Sequence, residues 1–361
     1  MTTYADSIKN VQDYVRLPLL YNHWYVAGLS KEFDRTPKER TLLERSLVFY
    51  RTTEGQLVAA QNRCLHRSFP LSESRLEGDE LVCGYHGIRY NPDGLMIRVP
   101  SQKKCPDRRL RTYKTVEVGP LVFIWMGDED AADMAKLPDF PFLSNPDLLT
   151  VFGEHHLESS YLLMQENLND LTHFSCLHHD SAGFDDSFLE LETITTETPE
   201  GVSCYRVERD TEKASARLPP HIKEQIGDRP VEQWDGGIAL SPGVFMGDAP
   251  IKIGDPDADD VQVLNRHIMH YLTPETSTTH HYWWSYTDDF MPNISEVKEM
   301  LTPAFDKIFS EDGWACAHMQ KLLDNDTSNY TELVIGGDKA GLLFRRIVLA
   351  WVEEEYGTEA P

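Results

Sequence analysis

Two short segments of the chain each place a cysteine beside a histidine. The first is Cys64-Leu-His66 and the second, after a gap of sixteen residues, is Cys83-Gly-Tyr-His86. Two thiolates and two imidazoles make a complete ligand set for a metal centre. Both segments are predicted to lie on turns between strands, so two loops can present the four side chains to one site. The pattern therefore predicts a metal centre rather than four unrelated buried residues.

Two kinds of centre use this ligand set, and the spacing helps to choose between them. A zinc finger groups its cysteines in one half and its histidines in the other. A Rieske [2Fe–2S] centre binds one iron through two cysteines and the second iron through two histidines. Each half here supplies one of each, which favours the iron–sulfur cluster and leaves zinc as the alternative. Gly84 and Gly87 would let main-chain amides approach the sulfurs, and such contacts raise the reduction potential.

A second polar group lies in mid-chain, where Asp170, His173 and His178 follow the spacing D-x-x-H-x-x-x-x-H. On a helix, Asp170 and His173 are one turn apart and share a face. The offset of five residues to His178 turns the chain by about 500°, so the helix must bulge or end before His178. Two histidines and a carboxylate with open positions form the facial triad of non-haem Fe(II) oxygenases. Beside the first pattern, this segment predicts a mononuclear iron site.

The two patterns together resemble the Rieske non-haem iron oxygenases, and most the vanillate O-demethylase and dicamba monooxygenase branch. Further segments that carry the resemblance are His23–Ala27, Pro138–Phe140, Thr273–Thr276, Asp338–Ala340 and Arg345-Arg346. The resemblance implies the oxygenase component of a multicomponent monooxygenase. Such an enzyme uses O2, and electrons from NAD(P)H through a reductase or ferredoxin, to demethylate or hydroxylate a small aromatic compound in a catabolic route. An electron-transfer protein with a non-catalytic second domain is the alternative.

The resemblance implies that the third iron ligand is a downstream carboxylate in a Glu-Asp pair followed by a helix. Glu311 and Asp312 fit this pattern. At helical spacing Asp312 heads an apolar stripe that continues through Ala315, Cys316, Met319 and Leu323. Because a buried charge needs a partner or a metal, Asp312 is the predicted ligand and Glu311 the alternative. The family's four-residue gap favours His178 over His179 as the second histidine ligand.

The same resemblance assigns catalytic roles to Asp170 and Asn167. Asp170 would bridge the cluster ligand His86 of a neighbouring subunit to the iron ligand His173. A carboxylate that accepts N–H bonds from both imidazoles orients them and couples them electronically. Asn167, one turn earlier, matches an amide that the family keeps near the iron. This connection predicts a homotrimer whose head-to-tail interface closes into a ring. The alternative for Asp170 is an exposed acid on a helix surface.

The resemblance is to the oxygenase type of Rieske domain rather than to the respiratory type. In the respiratory type each ligand loop carries a further cysteine, and the two cysteines form a disulfide. Phe69 and Tyr85 stand at those places here. Without this clamp, and without donors near the cluster, we expect a reduction potential below that of the respiratory type.

Basic residues are concentrated in one segment of an otherwise acidic chain. Residues 98–114 contain Asp107 as their one acid, and seven bases: Arg98, Lys103, Lys104, Arg108, Arg109, Arg111 and Lys114. Arg63, Arg67 and Arg89 lie beside the cluster loops, and we call these ten bases the basic collar. The collar could steer an acidic ferredoxin to the cluster. It could equally contact an acidic catalytic domain of a neighbouring subunit.

The substrate is predicted to contact a hairpin of residues 267–286 that is rich in aromatic and imidazole side chains. His270 matches a position that can face substrate in dicamba-type enzymes, and Trp283 or Trp284 could line the pocket, with Trp284 preferred. An aromatic pocket with one or two polar anchors suits a small aromatic ring. The hairpin contains no Arg or Lys cluster that would bind a carboxylate. Aromatic ethers, N-methyl compounds and ring hydroxylation all remain open.

Composition limits the classes of protein that the chain can belong to. Its 361 residues suggest about two domains, and 40% hydrophobic residues suffice for a core. A net charge of −25 argues against general binding to phosphate backbones or anionic membranes. No apolar run reaches the ~18 residues of a membrane span, and residues 1–20 lack the layout of a signal peptide. We therefore expect a cytoplasmic protein with its six cysteines reduced.

The order of elements predicts an α+β protein. Short strands and turns fill the first third, including a hairpin at Glu54-Gly55 and one strand over 116–126 bent at Gly119-Pro120. A segment rich in proline and aspartate, residues 137–146, resembles a linker. Helical and strand patterns mix after it, with a helical period over 161–177 and one helix or two over 294–323. We predict a small all-β Rieske domain over residues 1–140. A larger α+β catalytic domain, with helices flanking an antiparallel sheet, is predicted over 141–361.

Overall fold

A computed structural model of the chain describes residues 10–198, 201–326, 328 and 331–358. Its contacts divide these residues into two compact units. The smaller unit contains Tyr21–Ser144 and Thr273–Thr276, and the remainder forms the larger unit. Residues 10–20 therefore group with the larger unit, although the sequence assigned them to the first domain. The boundary near residue 140 stays a prediction.

The smaller unit is built of short antiparallel strands. They are β1 (Trp24–Leu29), β2 (Lys38–Leu42), β3 (Arg45–Arg51), β4 (Leu57–Gln61), β5 (Arg75–Glu77), β6 (Glu80–Val82), β7 (Arg89–Tyr90), β8 (Met96–Arg98), β9 (Thr115–Val118) and β10 (Leu121–Trp125). These strands pair in the orders β1-β10-β9, β2-β3-β4 and β5-β6-β7-β8. Cys64 and Cys83 belong to the buried cluster of this unit, together with Val48, Leu71 and Leu81. Part of the predicted metal site is thus anchored in the core.

Hairpins of the smaller unit follow the predicted turns, with one difference. β3 and β4 pair on either side of the predicted Glu54-Gly55 turn. Residues 116–126, however, are not one strand bent at Gly119-Pro120. They form a hairpin in which Leu121 of β10 lies opposite Val118 of β9. Gly119 has φ +55°, a left-handed conformation that lets the chain reverse there within two residues.

The larger unit contains an antiparallel sheet and the α-helices that the structure describes. Its strands are β11 (Leu149–Leu157), β12 (Ile194–Thr198), β13 (Gly201–Glu208), β14 (Val231–Ser241), β15 (Val244–Asp248), β16 (Ile251–Ile253), β17 (Gln262–Leu264), β18 (Arg266–Pro274) and β19 (His280–Asp288). Its helices are α1 (Val11–Tyr14), α2 (Tyr161–Leu168), α3 (Phe174–Leu177), α4 (His179–Ala182), α5 (Thr211–Ala216), α6 (Pro220–Ile226), α7 (Ser295–Asn325) and α8 (Lys339–Tyr356). The main strand order is β11-β19-β18-β15-β14-β13-β12. Off this path, β16 pairs with β14, and β17 pairs with β16. The predicted α+β fold class is confirmed.

Helix α7 is continuous through Pro303, where the sequence allowed one helix or two. Its buried face contains Phe309, Asp312, Cys316 and Gln320, which recur at the helical period. Gly313 lies on the same side, and a Cβ there would come within 2.6 Å of Leu157 Cδ2 in β11. The missing side chain allows the close approach that seats Asp312 in the interior.

The segment from Tyr161 to Leu177, predicted as helical, is interrupted rather than continuous. Helix α2 ends at Leu168, a 3-10 turn covers Leu171–His173, and α3 ends at Leu177, immediately before His178. The prediction that the helix ends before His178 is confirmed. No helix among the described residues combines the length and the apolar character needed to cross a membrane.

Arg345 of α8 joins two carboxylates in the interior of the larger unit. Its guanidinium donates to both oxygens of Glu166, at 2.8 and 2.7 Å, and to both oxygens of Glu332, at 2.9 and 2.8 Å. The Arg345 side chain is 9% exposed. Burial, the largest effect, raises the pKa of Glu166 although Arg345 opposes that shift.

Removal of this arginine should destabilise the protein, because Arg345→Met leaves two partly buried carboxylates facing each other. Breaking a buried ion pair from one side costs about 3 kcal/mol or more. We expect a loss of that size in the free energy of unfolding, measured by urea denaturation. Arg346→Met is the matched control, because Arg346 is exposed. This variant should lose less than about 0.5 kcal/mol in the free energy of unfolding. Equal stability of the two variants would contradict this account.

Candidate functional site

The two cysteine–histidine segments fold into loops with the same hydrogen bonds. In each loop the cysteine N–H donates to the carbonyl five residues later, from Cys64 to Phe69 at 3.0 Å and from Cys83 to Ile88 at 2.8 Å. The residue four positions after each cysteine donates back to the cysteine carbonyl. That residue, Ser68 in one loop and Gly87 in the other, has positive φ. Serine rarely adopts this conformation, so the repeated turn indicates a functional constraint.

These loops separate the four side chains by chemical type. Cys64 and Cys83 are buried, whereas His66 and His86 are exposed at the surface of the unit. The two imidazole Nδ1 atoms lie 3.2 Å apart. Buried thiols behind a pair of exposed imidazoles match a cluster with a thiolate-bound iron inside and an imidazole-bound iron outside.

Hydrogen-bond donors surround the sulfurs, contrary to the prediction that donors are missing. The hydroxyl of Tyr90 lies 3.3 Å from Cys64 Sγ and accepts from the Leu65 amide, so its proton is free to point at the sulfur. Amides of Tyr85 and His86 donate to Cys83. Such donors raise the potential of a cluster. The sequence missed Tyr90, because a tyrosine in a short strand carries no sign of what it contacts.

Gly84 acts differently from the prediction. Its N–H donates to the Ser74 hydroxyl at 3.0 Å rather than to a sulfur. A Cβ at this position would lie 3.0 Å from the Glu73 carbonyl oxygen and 3.1 Å from the Phe69 ring. The glycine therefore lets the two loops pack closely.

In the larger unit, His173, His178 and Asp312 converge from the break after α2 and from α7. One potential ligand atom from each lies within 4.8 Å of the others, so the group could hold a metal ion. Asp312 Oδ1 is 3.1 Å from His178 Nε2 and 3.3 Å from His173 Nε2. His178 and Asp312 are buried and His173 is half-buried.

The outer nitrogens of both imidazoles contact oxygen acceptors. His173 Nδ1 lies 2.6 Å from the Asp170 carbonyl oxygen, and His178 Nδ1 lies 3.0 Å from Glu311 Oε2. Glu311 also accepts from the Ser181 hydroxyl at 2.6 Å. Since carbonyls and carboxylates only accept, Nδ1 carries the proton and a neutral ring has its lone pair on Nε2. Two lone pairs and a carboxylate then face one another, an arrangement that fits a cation between them.

Charge in this group follows from burial and pairing. Burial, the largest effect, would raise the pKa of Asp312, but hydrogen bonds and charge from His173 and His178 hold that pKa below its usual value. Burial likewise lowers the pKa of His178, but Asp312 and Glu311 outweigh it and the net shift is upward. Asp312 is therefore ionised, as a metal ligand must be. Glu311, the alternative ligand, contacts the outer nitrogen of His178 instead.

Asn167 and Asp170 both lie beside this group, but one of them differs from the prediction. Asn167 Nδ2 donates to Asp312 Oδ1 at 2.8 Å, beside the predicted iron site. Asp170 contacts His173 through its main-chain carbonyl and not through its carboxylate. The carboxylate accepts from the amide and hydroxyl of Thr172, at 2.8 and 2.6 Å, and so caps the 3-10 turn. The cap engages one oxygen of this carboxylate, Oδ1.

A cavity of about 240 Å³ borders the three predicted iron ligands. His270, predicted to face substrate, lines it and is buried, with Nδ1 2.6 Å from the Tyr282 hydroxyl. Burial lowers the pKa of His270 to about 4, so the ring is neutral at pH 7. Trp284 is not among the lining residues that the structure describes. Its ring packs instead against Phe309, which does line the cavity, at 5.2 Å between centroids.

The same cavity contains charged residues that sequence reasoning missed. Arg217, Asp235 and Arg266 line it, although no basic cluster was found in the hairpin of residues 267–286. Arg217 follows α5, far from any motif, and carried no signal. Arg266 could have been found, because Arg266, Ile268 and His270 alternate along β18 and therefore share one face of the sheet.

Comparisons with known proteins agree with both halves of this description. The Rieske [2Fe-2S] domain matches residues 23–114, and the vanillate O-demethylase oxygenase C-terminal domain matches residues 157–354. The first match favours the [2Fe–2S] cluster over zinc. The second covers more than half of the chain.

Individual relatives are similar to this chain over most of its length. The iron-sulfur subunit TsaM1 of the toluene-4-sulfonate monooxygenase system of Comamonas testosteroni is 32% identical over 84% of this chain and 88% of its own length. The vanillate O-demethylase oxygenase subunit of Pseudomonas sp. (strain HR199 / DSM 7063) is 29% identical over 81% of this chain and 83% of its own length. The crystal structure of dicamba monooxygenase bound to 3,6-dichlorosalicylic acid has the same fold, with a TM-score of 0.82, 24% identity, and coverage of 94% of this chain and 99% of that one.

Motifs, geometry and similarity agree on the cofactors, which are a Rieske [2Fe–2S] cluster and a mononuclear iron. The chain belongs to the family of Rieske non-haem iron oxygenases with a vanillate O-demethylase type catalytic domain, and it is an oxygenase component of that family.

Proposed function

We propose that the cluster binds through Cys64, Cys83, His66 and His86, and that the iron binds through His173, His178 and Asp312. The observation that carries the proposal is the convergence of two imidazole Nε2 atoms on one buried carboxylate oxygen. Both outer nitrogens are held by acceptors, which fixes the tautomer that a metal requires. Intact iron ligands argue against an electron carrier with a non-catalytic second domain.

Residues around the iron site would each have a separate task. When bound, the cluster supplies single electrons and the iron supplies the chemistry that activates O2. Asn167 holds Asp312 through its amide, and Glu311 with Ser181 holds the ring of His178. The cavity places substrate beside the ligands, and its apolar side chains exclude water from the reacting group.

The substrate that we propose is a small aromatic compound. Phenylalanine rings make up much of the cavity wall, and the volume of about 240 Å³ exceeds the ~150 Å³ that holds a benzene molecule. Relatives are named as components of vanillate O-demethylase, dicamba O-demethylase, the toluene-4-sulfonate monooxygenase system and chloroacetanilide N-alkylformylase. We propose oxidative demethylation or hydroxylation of a single ring, with a reductase or ferredoxin as electron donor.

We also propose that Asp170 connects the two centres across a subunit boundary in a homotrimer. A cavity of about 680 Å³ is lined by Asp170, His173 and Asn167, which gives a second copy access to this position. A bond to the neighbouring cluster ligand His86 would require the Asp170 carboxylate, one oxygen of which now caps Thr172. The carboxylate has a second oxygen, so the cap and the bridge are compatible.

The iron assignment predicts different results for adjacent carboxylates. Asp312→Asn should abolish saturable binding of Fe(II), because it removes the one ionised ligand. Glu311→Gln should weaken binding by about tenfold to a hundredfold, because it only loosens the support of His178. Anaerobic titration of protein lacking the mononuclear iron measures both dissociation constants. The reverse order, with Glu311→Gln the more damaging, would identify Glu311 as the ligand.

The proposed bridge predicts a separation between metal content and turnover. Asp170→Asn should retain both centres and the trimer, yet nearly stop substrate-dependent O2 uptake. Oxidation of the reduced cluster in a single turnover should slow in parallel, which a purely structural role would not require. Asp180→Asn, a change at an exposed acid nearby, serves as the control. Normal turnover by Asp170→Asn would remove Asp170 from the electron path.

The basic collar gives a test of how electrons enter. Arg108 and Arg109 are exposed and, with His66 and His86, line a cavity of about 930 Å³ in the smaller unit. If the collar binds an acidic ferredoxin, Arg108→Glu/Arg109→Glu should lower the rate of cluster reduction by about tenfold or more. It should also flatten the dependence of that rate on salt.

Lys339→Glu/Arg346→Glu makes the same charge change at exposed positions of the larger unit and is the control. An unchanged reduction rate and salt slope in the collar variant would reject docking. Loss of the trimer in that variant, measured by sedimentation, would support the subunit-contact alternative.

A further inference from the structure

One wall of the cavity beside the iron site is formed by a face of the sheet. Alternate residues of three neighbouring strands line it: Gln233 and Asp235 in β14, Phe245 and Gly247 in β15, and Arg266, Ile268 and His270 in β18. Because side chains alternate along a strand, these residues share the buried face. Two charged side chains, Asp235 and Arg266, therefore face the cavity from this wall, and Arg217 adds a third from the end of α5.

The charges on this wall do not cancel. Arg217 Nη2 donates to Asp235 Oδ2 at 2.7 Å, and Arg266 Nη2 donates to Oδ1 of the same carboxylate at 3.2 Å. Two guanidinium groups therefore share one carboxylate. The Arg217, Asp235 and Arg266 side chains are 15%, 7% and 16% exposed. Two guanidinium groups on one carboxylate leave one uncompensated positive charge at this wall.

The two arginines differ in how many of their donors are engaged. Arg266 also donates to the carbonyl oxygens of Ala249 and Trp234, both at 3.2 Å, so its guanidinium is fixed in place. For Arg217 the acceptor found among the described residues is Asp235. Its guanidinium lies over the Phe184 ring at 4.4 Å, which holds the plane but uses no N–H group. A guanidinium has five N–H donors, so Arg217 keeps donors for a ligand.

The remaining walls suit a flat ring. The rings of Phe174, Phe184, Phe245, Phe305 and Phe309 line the cavity. Its volume admits one benzene ring with small substituents. The Arg217 guanidinium lies over the Phe184 ring, Phe184 packs against Phe174, and Phe174 packs against the proposed iron ligand His173. A substrate that contacts both ends of this row of rings must carry two different groups.

We propose that Arg217, oriented by Asp235 and Arg266, binds an anionic substituent of a single-ring aromatic substrate and makes the enzyme select acids over neutral analogues. The inference rests on the proposed function and names the substrate class of that site. A carboxylate or a sulfonate would accept N–H bonds from the free side of the guanidinium. The group to be oxidised would then extend from the opposite part of the ring toward the iron ligands.

Binding of matched probes to the holoenzyme tests the proposal without turnover. Calorimetry would compare 4-methoxybenzoate with the neutral 4-methoxybenzamide, and 4-methoxybenzenesulfonate would distinguish the two anions. The wild type should bind at least one anion about tenfold or more tighter than the amide, as expected for a charge-assisted hydrogen bond. Arg217→Gln should abolish this preference with little effect on the amide, and Arg217→Lys should retain part of it.

Arg209→Gln is the matched control, because Arg209 pairs with Glu232 and its side chain is 63% exposed. It should leave all three affinities unchanged. Equal affinity of the wild type for acid and amide, failure to bind either anion, or an intact preference in Arg217→Gln would overturn the proposal. Thermal unfolding shows whether Arg217→Gln is folded. If it is not, Arg217→Lys is compared with the wild type instead.

Iron content and NADH-driven O2 uptake of the same wild-type sample separate this proposal from the proposed function. An enzyme that contains iron and consumes O2 but ignores substrate charge refutes the anion site alone. An enzyme without mononuclear iron refutes the proposed function itself.

Discussion

The larger unit is organised around the repulsion that arises when two imidazole lone pairs and a buried carboxylate face one another. The outer nitrogens of His173 and His178 donate to the Asp170 carbonyl oxygen and to Glu311, which leaves the ring lone pairs directed inward. Asp312 lies among them at the buried face of α7. Such an arrangement is stable only with positive charge at its centre, either protons or a divalent cation. Two local features bring these side chains together. The helix breaks after Leu168, and Gly313 lets α7 approach β11 closely.

The cluster site is built by a different principle. Two loops repeat one turn, each closed by a residue at positive φ, and their cysteines belong to the core of the smaller unit. Rigid packing therefore holds the thiols, while the imidazoles remain exposed at the surface. Electrons can reach the exposed side from a partner protein, and the buried side is shielded from water, which affects the potential.

Local patterns were the part of this structure that the sequence could predict. Both ligand motifs, the hairpin of β3 and β4 and the helix end before His178 depend on spacing within a few residues, and each was predicted. Asp312 required the family resemblance, because no local rule joins a carboxylate on α7 to histidines more than a hundred residues earlier. The sequence could not predict which atom of a residue makes a given contact. The Asp170 carboxylate caps Thr172, Tyr90 approaches Cys64, and Gly84 serves loop packing. Arg217 and Asp235 meet only after the sheet has formed.

Iron-edge anomalous diffraction from crystals of the anaerobic holoenzyme tests the central claim most directly. We expect two separate anomalous features in each chain. One lies between Cys64, Cys83, His66 and His86, and the other is a single peak within bonding distance of His173 Nε2, His178 Nε2 and an oxygen of Asp312. Density for iron at the first position with none at the second, in a sample that oxidises substrate, would contradict it.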